Sequence, residues 1–92
     1  MTLTDTLGRG RDNVTSSYTI ATRLGVPQQT IGFMVNDLRK QGHLIESVYG
    51  EGYYLIETAE ELADTIRHIE QRKAGIDRTI RALEGAWLAE SA

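Results

Sequence analysis

Apolar residues in the first half of the chain recur at helical spacing on both sides of a Gly-Val-Pro turn. One group ends at Leu24, and the next follows Pro27 and continues to Leu38. Gly25 can adopt the positive φ that ends a helix, and proline is tolerated in the first turn of the next one. The pattern predicts a helix-turn-helix unit, two short helices joined by a tight turn. Its apolar positions are Ile20, Ala21, Leu24, Val26, Ile31, Val35 and Leu38.

The segment before this unit is short and weakly apolar. We predict a first helix over Leu3–Leu7 that ends at Gly8, followed by a Gly/Arg loop and a short β-bridge at residues 13–15. In the loop, Arg9 and Arg11 can contact phosphates or remain as solvated charges. The sequence does not distinguish between these two roles.

Local signals set the boundaries of the two helices of the unit. The second helix of the chain has a candidate N-cap at Ser16 or Ser17 and runs to Leu24, since a hydroxyl can accept a hydrogen bond from a free N–H of the first turn. The third helix runs over Pro27–Gln41, and Gly42 stops it. Its apolar residues point into the core, so the opposite side is exposed.

Two β-rich runs follow the third helix, at residues 44–49 and 53–57. Between them lies a turn of Gly50, Glu51 and Gly52. Two such runs around a short turn with glycines predict a β-hairpin. A hairpin directly after the third helix is a wing.

The exposed side of the third helix is rich in amide side chains. Gln and Asn can form paired hydrogen bonds with adenine in the major groove, and Gly32 permits close approach of the backbone at a helix cost of about 1 kcal/mol. Phe33 can touch a thymine methyl group, contact a protein, or pack against another part of the chain. The candidate DNA contacts on this helix are Gln28, Gln29, Thr30, Gly32, Phe33, Asn36, Arg39 and Lys40.

The string LGVPQQTIGFMVNDLRKQGHLIESVYGEGYYL resembles the winged helix-turn-helix domain at the N-terminus of the biotin operon repressor, and small winged-helix proteins of bacteriophages. The resemblance covers roughly Leu7–Leu55. It rests on the Leu24-Gly25-Val26 turn, the Ile31/Val35/Leu38 spacing, Gly42, Ile45 and the string Gly50-x-Gly52-Tyr53-x-Leu55.

This resemblance implies an α+β fold, three helices and a β-hairpin wing, that binds double-stranded DNA. The third helix would enter the major groove, and the wing would lie on the flanking backbone, with Tyr53, Arg9 and Arg11 as further candidate contacts. A biotin-ligase domain is absent from the sequence, so no ligase activity is implied.

The sequence departs from the family pattern at three positions. Pro27 replaces the usual Ser or Thr at the N-cap of the third helix, Phe33 replaces a residue that is often basic, and Glu51 replaces Lys or Arg at the wing tip. The last two changes remove expected phosphate contacts, and each such contact adds to salt-dependent affinity. We therefore expect weak DNA binding per protomer, or a Glu51 that points away from the duplex.

The last third of the chain has the pattern of one long amphipathic helix. Thr58 and Glu61 fit a capping box at its start, and the first turn is acidic, which suits the helix dipole. Apolar residues then keep a heptad spacing, with Lys73 as the polar member, and this is typical of a coiled coil. The stripe consists of Leu62, Ile66, Ile69, Lys73, Ile76, Ile80, Leu83 and Trp87.

A continuous helix of about 30 residues would be roughly 45 Å long, too long to cover its whole stripe on a small domain. We therefore predict two parts, a winged domain over residues 1–57 and a dimerisation helix over residues 58–92. Dimerisation would present two recognition helices to a palindromic site. A break at Gly75 would instead give a helical hairpin that packs on itself.

Composition narrows the choice of function. The chain of 92 residues has a net charge of −3 and no cysteine. The negative charge is unusual for a nucleic-acid binder, although a local basic stripe can act within a Debye length of roughly 10 Å. The N-terminal residues contain neither a signal peptide nor a membrane span, so we expect a cytoplasmic protein.

Catalysis has little support in the sequence. His43 and His68 lie on different predicted elements, and we expect structural roles for both. No phosphate-binding loop is present, and neither a metal nor a cofactor is implied. The sequence thus favours a dimeric DNA-binding transcriptional regulator, with a phage origin suggested by the resemblance. The alternative is a winged-helix module that binds a protein partner.

Overall fold

Two short helices, a hairpin and one long helix follow one another along the chain. The computed structural model describes residues 1–91, and the fold is α+β. The elements are a 3₁₀ turn at Thr4–Thr6, a second at Arg11–Asn13, α1 at Ser17–Leu24, a third 3₁₀ turn at Gln28–Thr30, α2 at Ile31–Lys40, β1 at Ile45–Val48, β2 at Gly52–Leu55 and α3 at Ala59–Ser91.

The segment predicted as a first helix, Leu3–Leu7, forms only one 3₁₀ turn. Side chains compete for its backbone: the Thr6 hydroxyl donates to the Leu3 carbonyl at 2.6 Å, and the Asp5 carboxylate accepts the Thr2 N–H at 2.8 Å. Such local bonds favour turns over helices, and five residues are too few to offset the cost of helix nucleation. Leu3 and Leu7 are buried nevertheless.

The second and third predicted helices are confirmed, with one change at the start of the third. Ser16 is the N-cap of α1, since its Oγ accepts the Thr19 N–H at 3.1 Å, and Gly25 ends α1 with a φ of 68°. Pro27 is extended, so the third helix starts as the 3₁₀ turn Gln28–Thr30 and becomes α-helical in α2.

The hairpin is also confirmed, in the antiparallel register that pairs Ile45 with Leu55 and Val48 with Gly52. Its three-residue loop begins at Tyr49, so Gly52 belongs to β2 rather than to the turn. The loop before α1 lies along the other side of β2.

The predicted β-bridge before α1 is found at Thr15. Thr15 and Tyr53 exchange two backbone hydrogen bonds of 2.8 and 2.9 Å. The strand contact requires glycine at position 52, because a Cβ there would overlap the Thr15 carbonyl, and the φ of 139° is rarely adopted by other residues. The hairpin is thus attached to the segment that leads into the helix-turn-helix unit.

The core lies between α1, α2 and one face of the hairpin. Ile20, Ile31, Val35 and Ile45 are at most 2% exposed. The predicted apolar positions Leu24, Val26 and Leu38 pack against this cluster and are partly buried. Burial of one such aliphatic side chain contributes about 1.5–3 kcal/mol.

The long helix α3 is one unbroken α-helix of 33 residues. Its capping box is confirmed: Glu61 N–H donates to Thr58 Oγ1 at 3.1 Å, and Thr58 N–H donates to the Glu61 carboxylate at 3.3 Å. Gly75 does not interrupt the helix, so the alternative of a helical hairpin is wrong. One glycine costs about 1 kcal/mol, which is small against a helix of this length.

α3 gives the molecule its elongated shape. Thirty-three residues correspond to about 50 Å of helix, and the longest dimension of the chain is 57 Å. Among the helices of residues 1–91, none combines the length and apolar character needed to cross a bilayer.

Candidate nucleic-acid interface

One side of the 3₁₀ turn Gln28–Thr30 and of the α2 helix that follows it is open to solvent. Phe33 is 76% exposed on this side, so the alternative that it packs within its own chain is wrong. The exposed members of the predicted set are Gln28, Gln29, Gly32, Phe33, Asn36 and Lys40. We call the first five the amide face.

Two residues of the predicted set are partly engaged within the chain. Thr30 is half-buried, and its hydroxyl donates to the Pro27 carbonyl at 2.7 Å. Gln28 Nε2 donates to Ser17 Oγ at 2.9 Å, which ties the start of the third helix to the start of α1. The Gln28 amide is thereby held at the edge of the amide face.

Arg39 is turned away from the exposed side on which the sequence placed it. Its Nε donates to the Ile45 carbonyl at 2.8 Å, and its Nη2 lies 3.3 Å from the Glu46 carboxylate. Burial lowers the pKa of the Arg39 guanidinium, and the charge of Glu46 opposes that shift. The side chain joins α2 to the hairpin.

The free edge of β1 is covered by these same side chains. The Ile45 carbonyl accepts from Arg39, and the Ser47 N–H donates to the Glu46 carboxylate at 2.8 Å. An edge strand normally offers such groups to another chain. Here two of these groups are occupied from within the protein.

The tip of the hairpin carries less uncompensated negative charge than the sequence indicates. Arg11 Nη2 lies 3.3 Å from Glu51 Oε2, and both side chains are more than half exposed. An exposed pair of this kind contributes at most about 1 kcal/mol, so it can exchange partners easily. Arg9 is exposed, and Tyr53 is half-buried between the hairpin and α2.

A groove of about 450 Å³ runs between α2 and the hairpin, and the end of one α3 side chain reaches it. That side chain is Arg72, which sequence reasoning missed. The residues lining the groove are Gln29, Gly32, Phe33, Val35, Asn36, Arg39, Ser47, Tyr53 and Arg72.

Arg72 reaches the groove because a polar stripe of α3 docks on the hairpin. The Glu61 carboxylate accepts the Arg11 N–H at 3.0 Å, Thr65 is buried, and His68 Nδ1 lies 3.2 Å from the Glu46 carboxylate. These positions and Arg72 recur every three or four residues, so they share one side of the helix. His68, for which we expect a structural role, has Glu46 as its partner.

The predicted apolar stripe of α3 lies about a quarter turn around the helix from this polar stripe. Its large apolar residues remain 37–69% exposed in the single chain. Its members, Leu62, Ile66, Ile69, Lys73, Ile76, Ile80, Leu83 and Trp87, all face solvent. The stripe is free because the helix docks through a different side.

Other chemistry is sparse on this surface. Across residues 1–91, no three acidic or His side chains converge in a way that could hold a metal ion. No protein-family model, curated protein or solved structure gives a significant match to this chain. What the surface can bind is therefore inferred from its own residues.

Proposed function

We propose that this chain is a winged-helix protein that binds double-stranded DNA in a sequence-dependent way and acts as a dimeric transcriptional regulator. The observation that carries the proposal is the amide face: on the second helix of a helix-turn-helix unit, its side chains are exposed and are not covered by the chain's own tail. The hairpin stands beside that helix, where a wing would lie.

We assign the reading of bases to residues 28–40, which are the 3₁₀ turn Gln28–Thr30 and α2. The amides of Gln29 and Asn36 can each form paired hydrogen bonds with adenine, and Phe33 suits contact with a thymine methyl group. Gly32 lets the helix backbone approach the base edges. This combination favours sites rich in A·T pairs at the positions that α2 reaches.

Charge sets the expected strength of binding. The chain has 10 Lys and Arg residues but 13 Asp and Glu, so its net charge of −3 opposes the phosphate backbone. Lys40, Arg9 and Arg11 are exposed, and the last is paired with Glu51. We therefore expect each protomer to bind weakly, and two linked protomers to gain affinity through effective concentration.

The second protomer is assigned to the apolar stripe of α3. Heptad spacing over almost four heptads suits a two-stranded coiled coil, in which Lys73 would help to fix the register. The part of α3 beyond Arg72 has no hairpin beside it, so a second copy can lie along it. Such a pair would carry two amide faces to a symmetric DNA site.

A salt titration with matched variants tests the proposal. Binding of the full chain to random and to selected duplexes is measured by fluorescence anisotropy between 50 and 200 mM salt, with Gln29→Ala compared with Gln71→Ala, an exposed glutamine on α3. We expect affinity to fall steeply with salt, and only Gln29→Ala to reduce the preference for the selected duplex, by about 1–3 kcal/mol.

The second candidate is a module that binds a protein partner. It is favoured by Phe33, a large apolar side chain that is 76% exposed on the same face. If the wild type binds no duplex at 50 mM salt, the DNA proposal fails and this alternative takes its place.

A further inference from the structure

Arg72 is a cation without a counter-charge in the groove beside the amide face. Within the described 91 residues it forms no hydrogen bond and no ion pair, and the groove is lined by two arginines and by no carboxylate. Arg39 is committed to the Ile45 carbonyl and to Glu46, whereas Arg72 is exposed. Glu46 neutralises Arg39 and also lines a neighbouring hollow with Asp64 and Arg72, so the positive charge that faces the groove is that of Arg72.

The two guanidinium groups also influence each other. Burial lowers the pKa of Arg39 most, the charge of Glu46 opposes that shift, and the charge of Arg72 lowers the pKa by a smaller amount. An anion bound at Arg72 would relieve this repulsion. The groove opens on the amide face, so the anion that would arrive with a bound duplex is a backbone phosphate.

We propose that Arg72 is a DNA-backbone contact contributed by the long helix, binding a phosphate beside the bases read by α2. This inference rests on the proposed function and adds to it a contact from outside the winged domain. A guanidinium suits the task because its fork of N–H donors can bind two phosphate oxygens at once.

The docking of α3 is what places Arg72 there. Arg72 follows His68 by one turn on the same side of the helix, and His68 is held by Glu46 on β1. Earlier in the stripe, Glu61 binds the backbone of the loop before α1. DNA binding and the position of the dimerising helix would thus be coupled through a short, rigid path.

The test compares Arg72→Gln with Arg78→Gln in the full chain. Both variants remove one positive charge from α3, but Arg78 lies outside the groove. Affinity for one selected duplex is measured by anisotropy from 50 to 400 mM salt. We expect Arg72→Gln to weaken binding about tenfold at 50 mM and to reduce the slope of log K against log salt by about 1, with Arg78→Gln close to wild type.

Two further results complete the test. Arg72→Lys should restore most of the salt slope, since it keeps the charge, and the thermal midpoint of all three variants should equal that of the wild type. Equal salt slopes for Arg72→Gln and the wild type would overturn the inference while leaving DNA binding in place. A wild type that binds no duplex would overturn both, so the two failures are distinguishable.

Discussion

The isoleucines of the N-terminal body, residues 1–57, are buried, whereas those on the stripe of α3 are exposed. Ile20, Ile31 and Ile45 are at most 1% exposed, whereas Ile69 and Ile76 of the long helix are 43% and 56% exposed. The residue type is the same, and the difference lies in whether the element can fold back on a neighbour. The body closes its own core, and α3 leaves its apolar side exposed.

The two regions also use different chemistry for their contacts. Elements of the body meet through an aliphatic core with a few polar links such as Arg39, while α3 meets the body through a hydrogen-bonded stripe that includes Glu61 and His68. The seam also includes a buried aromatic side chain, since Tyr54, the cross-strand neighbour of Glu46, is 3% exposed. The comparison shows how one helix can be fixed on its own domain and still offer a hydrophobic stripe elsewhere.

The largest expected effect comes from placing charge on that stripe. Ile69→Asp with Ile80→Asp should give monomers, since burying four carboxylates per dimer and losing four apolar contacts weakens association at least about 10⁴-fold. Sedimentation velocity measures the outcome. The control is Ala74→Asp with Ala82→Asp, which adds the same charge on the far side of α3. A wild type that already sediments as a monomer would refute the coiled-coil assignment.

The next largest effect concerns the contact between the hairpin and the Thr15 segment within the body. Gly52→Ala should lower the free energy of unfolding by about 3 kcal/mol or more, because the new Cβ overlaps the Thr15 carbonyl. Gly25→Ala is the matched control: it also has a positive φ but has open space around it, and we expect about 1 kcal/mol. Urea unfolding at one protein concentration compares them. Equal losses would show that the hairpin and Thr15 can separate easily.

A smaller effect, on the affinity for DNA, is expected at the tip of the hairpin. Glu51→Lys should tighten duplex binding by about tenfold at 50 mM salt, because it removes a negative charge and releases Arg11. Glu70→Lys makes the same charge change on an exposed part of α3 and serves as control. Anisotropy measures both. An affinity that rises equally in the two variants would reflect net charge alone and would place the wing away from DNA.

The smallest effect is a pH dependence at the junction of the two regions. Hydrogen bonds from the backbone N–H groups of Glu57 and Arg11 lower the pKa of Glu61 below its ordinary value of 4.5. Its contribution to stability is therefore present above about pH 4.5 and is lost as the pH falls through the lower, folded-state pKa. Glu61→Gln should remove this acid-side loss, as followed by unfolding between pH 5 and pH 3. Glu60→Gln, on the exposed first turn, should retain it.

Local rules predicted much of this fold. The N-cap at Ser16, the hairpin, the bridge at Thr15 and the capping box at Thr58 each depend on a few neighbouring residues, and each is confirmed. The first helix was shorter than predicted because side-chain hydrogen bonds of Thr6 and its neighbours favour a turn. Helix boundaries depend on such competition between side chains and the backbone for hydrogen bonds, which the spacing of apolar residues does not reveal.

Long-range packing accounts for what the sequence did not reveal. Arg39 has the helical spacing of an exposed residue, but the contacts of its side chain depend on where the edge of β1 lies. The sequence did not predict a role for Arg72 because the apolar heptads dominate the pattern of α3. The polar stripe beside them is recognised only from the contact between Glu46 and His68. Neither position could be read from sequence neighbours.

The occupied edge of β1 has a consequence for how the protein can assemble. Since Arg39 occupies the Ile45 carbonyl and Glu46 the Ser47 N–H, a strand from another molecule would find these two positions of the ladder already filled. The occupied groups therefore disfavour growth of the protein into open-ended sheets.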